Sequence, residues 1–239
     1  MSRIARLVAV DYPHHIIQRG NNRRNVFLSD DDRQHYLRLL AKYSEECACK
    51  VKAFCLMSNH VHLLLVPTDK TALAKAMQKI SLSYTQYVNR KYKRTGRLWE
   101  CRFHSSIVDD DIYLLSVCRY IEKNPTRAGV AKRAESYRWS SVRVNTNTTS
   151  REYKFLDPIW RDYNIDCQQY KSFLEEDAAA YSIKNKNITQ YTYTGKPLGS
   201  KDFIKKLSAT LGREILIERK RGRPGKNGMC PEFKQQLSF

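Results

Sequence analysis

Two apolar runs, Lys50 to Met57 and His60 to Val66, are separated by only Ser58 and Asn59. Two residues are too few for a crossover, so the runs must turn back on each other as an antiparallel hairpin. Pro67 ends the second run. Everything else has to be arranged around that hairpin. Before it, His14 to Gln18 reads as a short strand ended by Gly20-Asn21-Asn22; after it, Phe103 to Val108 reads as another. Asp30 to Cys47 carries Tyr36, Leu37, Leu40 and Tyr43 at helical spacing, with Ser29 or Asp30 able to cap it. Thr71 to Arg94 is a second helix, with Leu73, Met77, Ile80, Tyr84, Tyr87 and Val88 on one side. The order is strand, helix, strand, strand, helix, strand. It predicts an α+β fold: a ferredoxin-like, split βαβ antiparallel sheet with helices on one face. A further helix, Asp110 to Glu122, follows the last strand, with Pro125 just beyond its end.

A chain of 239 residues has room for one large domain, or one domain and an appendage. The polar stretch Val144 to Arg151 sets the boundary. Residues 1–145 form the sheet-and-helix domain, and 146–239 form a mostly helical, basic extension. In the extension, Phe155 to Tyr170 and Tyr170 to Tyr181 read as short helical pieces. Gly199 to Leu211 reads as a capped amphipathic helix with Phe203, Ile204, Leu207 and Leu211 inward. The tail Arg219 to Lys226 is basic, contains Gly and Pro, and cannot build a core. A mean hydropathy of −0.63 argues against a membrane protein. No run approaches the roughly 20 apolar residues of a bilayer span. The first residues lack the pattern of a signal peptide, and the seven cysteines are scattered, which suits reduced thiols in the cytoplasm.

Lys and Arg number 43 against 24 Asp and Glu, a formal charge of +19. Such a charge gathers polyanions, of which nucleic acid is the commonest. The basic residues are interleaved with Tyr and polar side chains, as in Gln18 to Arg24 and Tyr87 to Arg94, rather than paired with acids along helices. Arg and Lys can neutralise phosphates, and aromatic rings can stack on unpaired bases.

Within this frame two short patterns carry chemistry. His60-Val61-His62 opens a strand, so both imidazoles project from one face and Val61 from the other. Two nitrogen donors at that spacing suit one metal ion, and they equally suit a polar pair with no ligand. Tyr120 and Asn124 lie four apart, on one face of a helix that persists that far. There an amide oxygen could complete a metal site and a phenol could attack a bound phosphate. The pattern also fits a packed tyrosine followed by an Asn-Pro helix stop.

The ordered set of motifs goes further. His15-Ile16-Ile17-Gln18-Arg19-Gly20-Asn21-Asn22-Arg23 comes first, then Met57-Ser58-Asn59-His60-Val61-His62 and Gly96-Arg97-Leu98-Trp99-Glu100. Arg119-Tyr120-Ile121-x-x-Asn124-Pro125-x-Arg127-Ala128-Gly129 and Tyr137-Arg138-Trp139-Ser140-Ser141 complete it. In this order they resemble the HUH single-tyrosine transposases, and among those the REP-associated tyrosine transposases of bacteria. The resemblance spans about residues 10–143. It implies a metal-dependent endonuclease and strand transferase acting on single-stranded DNA at hairpins, with residues 1–145 as the catalytic domain. Tyr120 would be the nucleophile, forming a 5′-phosphotyrosine. His60 and His62 would hold Mg²⁺ or Mn²⁺, with Asn124 as third ligand. Gln18, Arg19, Asn21, Asn22, Arg23, His104 and Arg127 would contact DNA. In the extension, Arg221 and Arg223 sit in an Arg-Gly-Arg-Pro segment similar to an AT-hook core, suited to a narrow minor groove. The enzyme would be a monomer or a homodimer. The alternative from a different class is a catalytically silent nucleic-acid-binding module on the same fold.

Overall fold

Ser58 and Asn59 do turn the chain, and Met57 pairs with His60 across them. A computed structural model describes residues 6–109, 112–146, 153–163, 165–175, 185–212 and 214–215. Its strands are β1 (His14–Arg19), β2 (Cys49–Met57), β3 (His60–Pro67) and β4 (His104–Ile107). The first half carries helices α1 (Asp30–Glu46), α2 (Ala72–Lys91), α3 (Ile112–Glu122), α4 (Asn124–Arg127) and α5 (Val142–Asn145). The extension carries α6 (Trp160–Tyr163), α7 (Cys167–Glu175), α8 (Asn185–Thr194) and α9 (Lys201–Leu211). The sheet order is β2-β3-β1-β4, with every neighbouring pair antiparallel. That is the ferredoxin-like arrangement expected.

Alternation along the strands divides the chain's chemistry between two faces. Val61, Leu63 and Leu65 of β3 and Ile16 of β1 join the core under α1 and α2, against Tyr36, Leu40, Leu73, Met77 and Tyr84. Leu64 points the other way, into a second cluster with Val117, Cys118 and Ile121 of α3. The two ferredoxin helices therefore share one face, and α3 with the helices of the extension closes the other. A bulge at Lys52 shifts the β2 register between Val51 and Ala53. It sends Val51 to the first cluster and Ala53 to the second, although they are two residues apart.

Helix α1 begins with a reciprocal cap: Asp32 N–H donates to Ser29 Oγ at 3.4 Å, and Asp32 Oδ2 accepts from Ser29 N–H at 3.0 Å. Buried Asp32 also accepts from Lys91 Nζ at 2.7 Å and the Tyr92 hydroxyl at 2.8 Å, so one carboxylate ties the start of α1 to the end of α2. Burial alone would raise its pKa; the hydrogen bonds from Lys91, Tyr92 and the Leu28 and Ser29 amides outweigh it and hold the group at about 2. Glu122, at the end of α3, plays the corresponding role on the other face. It accepts from Ser141 Oγ at 2.6 Å, Asn145 Nδ2 at 2.7 Å and the Tyr170 hydroxyl at 2.8 Å, joining α3 to α5 and α7.

The extension shares this second core rather than building its own. Tyr170, Leu174 and Ile188 lie in the α3 cluster. Asp157 N–H donates to Val51 C=O at 2.8 Å, and its Oδ2 pairs with the buried Lys52 ammonium at 2.6 Å. The helical piece expected over 155–170 is interrupted: α6 and α7 are separate, and Asp166 with Gln169 caps the second. The amphipathic helix α9 runs from its Ser200 cap to Gly212 at φ 57°, with Phe203, Ile204 and Leu207 buried. Helix α8 was not expected. The basic tail with Arg221 and Arg223 lies outside the described residues, as does Asp110. Among the described residues, no helix is long and apolar enough to cross a membrane. The cysteines described are all free thiols.

Candidate active site

Because β1 and β3 pair with Ile17 opposite His62 and Arg19 opposite His60, His15, Ile17 and Arg19 share a face with both histidines. That face meets the end of α3, the start of α4 and α8 around a cleft of about 250 Å³. The cleft is lined by Arg19, His60, His62, Tyr120, Asn124, Arg127, Thr189 and Tyr193, among others.

The hairpin turn orients His60. Asn59 Nδ2 donates to the Arg23 carbonyl at 3.1 Å, which leaves Asn59 Oδ1 to accept from His60 Nδ1–H at 2.6 Å. The His60 lone pair is therefore on Nε2. Burial, reinforced by Arg19, pushes its pKa down to about 4. His62 is buried deeper. Its Nδ1 lies 3.0 Å from His15 Nε2, and its Nε2 accepts from Asn124 Nδ2 at 2.9 Å. Burial first, then His60, His15, Arg127 and Arg19, push it well below the ordinary histidine value. His15 is pushed down to about 3, by burial and then by Arg127. All three imidazoles are neutral near pH 7.

Tyr120 stands in the last turn of α3 with its ring edge-on to His62, centroids 5.6 Å apart, and to His15, 5.7 Å apart. Its hydroxyl lies 2.7 Å from Thr189 Oγ1. The helix breaks at Lys123 and restarts at Asn124 with Pro125 in its first turn, yet both side chains still line the cleft. Arg127 folds back, donates to the Tyr120 carbonyl at 2.7 Å and lays its guanidinium 4.0 Å from the Tyr120 ring centroid. Two neutral imidazoles, an amide, a phenol and two guanidinium groups converge here. Two nitrogen donors and an amide oxygen suit a divalent cation of borderline hardness, and the guanidinium groups suit a phosphodiester. Among the described residues, no group of three or more His, Cys, Asp and Glu side chains comes together as a metal site; the candidate set is two histidines and an asparagine.

The expected DNA contacts divide. Arg19 and Arg127 line the cleft. Asn21, Asn22 and Arg23 form a 3-10 turn at its rim, with Asn22 and Arg23 exposed. His104 lies beside it, its ring tilted against Tyr193 with centroids 4.8 Å apart, and its Nε2 is 3.3 Å from Cys101 Sγ. Gln18 does not belong with them. One residue before Arg19, it points through the sheet, is buried, and accepts from Ser81 Oγ of α2 at 3.1 Å. The strand's period of two removes it from the cleft-facing set. Sequence reasoning missed His15, Thr189, Thr192 and Tyr193. The parity that excludes Gln18 selects His15, whereas nothing in 185–194 marks α8 as a partner of the cleft.

Residues 9–124 match the family model described as transposase IS200 like. Over these residues, just under half of its length, the chain is similar to the IS200-like transposases. The matched region runs from Ala9, in the segment before β1, to Asn124, so it takes in both histidines and Tyr120, and α8 lies outside it. Among solved structures, a REP-associated tyrosine transposase bound to a REP hairpin is similar in fold, with a TM-score of 0.53. Its identity to this chain is 16%, over 64% of this chain and 96% of that one. A candidate transposase from Deinococcus radiodurans also matches, at 18% identity and a TM-score of 0.32, over 56% of this chain and 97% of that one. Among the curated proteins, none matches.

Proposed function

We propose that this protein is an IS200-like transposase that cleaves and rejoins single-stranded DNA at hairpins, with Tyr120 as the nucleophile. One observation carries the reading: within a single chain, the Tyr120 ring lies 5.6 Å from the His62 ring, in the cleft that also holds His60 and Asn124. No second copy is needed to bring these groups together. Arg19 and Arg127 bind the phosphate flanking the cut and offset its charge. Tyr120 Oη attacks phosphorus as the bond to the 3′-oxygen breaks, giving a 5′-phosphotyrosyl bond. The proton leaves Oη, and the departing 3′-oxygen takes one up as a 3′-hydroxyl. Attack of a 3′-hydroxyl in reverse rejoins a strand without added energy, because the phosphodiester is conserved. His60, His62 and Asn124 would hold one divalent cation, Mg²⁺ or Mn²⁺, whose chemistry there is to polarise the scissile phosphate. The hairpin substrate is supported by the fold shared with a hairpin-bound transposase.

Incubation with a hairpin-bearing single-stranded oligonucleotide and Mn²⁺ tests this. Wild type should form a protein–DNA complex that survives denaturant, and Tyr120→Phe should bind the oligonucleotide but form none. Cleavage that persists in Tyr120→Phe would mean a water nucleophile. Equal binding by both proteins with no cleavage by either would mean a silent binding module.

A further inference from the structure

Helix α8 lies beyond the family-matched residues, yet it sends two hydroxyls, three positions apart and so on one helix face, into the machinery just described. Thr192 is buried, and its hydroxyl donates to the Ile188 carbonyl at 2.9 Å. A carbonyl can only accept, so that bond uses the single Thr192 proton. Thr192 Oγ1, 2.7 Å from His15 Nδ1, must then accept, which places a proton on His15 Nδ1 and the lone pair on His15 Nε2. That lone pair accepts from His62 Nδ1–H at 3.0 Å, leaving the His62 lone pair on Nε2, toward Asn124. The polarity of the whole relay is set by one backbone carbonyl of α8. One turn earlier on the same helix, Thr189 Oγ1 holds the Tyr120 hydroxyl at 2.7 Å.

We propose that α8 is a positioning element of the active site: Thr192, through His15, fixes the His62 tautomer that keeps the lone pair on Nε2, which a cation takes once the Asn124 amide turns its oxygen inward, and Thr189 fixes the Tyr120 hydroxyl. This rests on the reading of Tyr120 as nucleophile and His62 as ligand. The extension is then part of the catalytic centre, and a shift of α8 disturbs the ligand and the nucleophile together.

The test uses the full chain with Thr192→Val, Thr192→Ser, Thr189→Val and Thr189→Ser. In the metal-free protein with ¹⁵N-labelled histidine, wild-type His62 should show a protonated Nδ1 and an unprotonated Nε2. Thr192→Val should populate both tautomers, and Thr192→Ser should restore one. Groups that hydrogen-bond a ligating histidine on its far side typically matter 10- to 100-fold, so Thr192→Val should weaken Mn²⁺ binding about tenfold. Thr189→Val should leave Mn²⁺ affinity at the wild-type value and slow single-turnover adduct formation about fivefold, the scale of one neutral hydrogen bond, with Thr189→Ser restoring the rate. A wild-type tautomer and Mn²⁺ affinity in Thr192→Val would overturn the proposal. So would losses in the valine variants that serine does not repair. If wild type forms no adduct with hairpin DNA, the transposase reading fails by itself; the histidine spectrum and Mn²⁺ titration then uphold or overturn the Thr192 relay on their own.

Discussion

Replacing Glu122 with Gln should flatten one step in the pH dependence of stability. Glu122 is fully buried, and burial raises its pKa from 4.5 to about 7 despite hydrogen bonds from Ser141, Asn145 and Tyr170 that favour the ionised form. A raised pKa means that the folded protein holds this proton more tightly than the unfolded chain. The stability it contributes is complete below pH 4.5 and is lost as the pH climbs through 7. At 1.36 kcal/mol per pH unit, the loss amounts to about 3 kcal/mol. Gln keeps the contacts without titrating. Its Oε1 can accept from Ser141 and Asn145, while its Nε2 donates to the Tyr170 oxygen and the Tyr170 hydroxyl turns to Cys118 Sγ, 3.0 Å away. Urea unfolding from pH 4 to 9, followed by tryptophan fluorescence with a chelator present, measures both proteins. His14, His15 and His60, held at about 4, 3 and 4, destabilise both proteins alike as the pH falls below 6.5, so they cancel in the difference. The stability of Glu122→Gln minus that of wild type should be flat below pH 4.5, rise by about 3 kcal/mol by pH 8, and then level off. Parallel curves across that range would refute the reasoning.

Two other substitutions probe how the cleft is held. Asp157→Ala removes the carboxylate 2.6 Å from the buried Lys52 ammonium and the link from 157 back to β2, and should cost about 1–3 kcal/mol in urea unfolding; Lys52→Met combined with Asp157→Leu should recover most of that loss. In Gly20→Ala the new Cβ would meet Arg24 C=O at 2.2 Å and Val26 Cγ1 at 2.7 Å. The turn that carries Asn59 must then move, so stability should fall by about 1–3 kcal/mol, and titration should show weaker Mn²⁺ binding as His60 loses its orienting partner.

The half of the site within the family-matched residues was legible because its geometry is local. His60 and His62 share a face by strand period, and Tyr120 and Asn124 share one by helical spacing, even across the break at Lys123. Their convergence follows from topology, since a hairpin and a following helix meet on one face of the sheet. Two errors have plain causes. Gln18 belongs to a contiguous motif in the sequence, but alternation sends it to α2. The helix expected over 155–170 ignored Asp166, whose carboxylate accepts from Gln169 N–H and starts α7. Helix α8 left no periodic trace. Asn185-Lys186-Asn187-Ile188-Thr189-Gln190-Tyr191-Thr192-Tyr193-Thr194 is polar nearly throughout, and what it buries includes a hydroxyl rather than an apolar stripe. Such a helix is held by the partners it finds and is invisible to any pattern confined to its own residues.

The length of the β2–β3 turn sets which side of the sheet each β3 side chain occupies. Adding or deleting one residue there would invert the strand. His60 and His62 would then be driven beneath α1 and α2, and Val61 and Leu63 would be left facing the cleft. Two residues added or removed together would restore the phase. Indels at this tip should therefore be tolerated only in even numbers, a parity rule imposed on the gene by the pleat of a single strand.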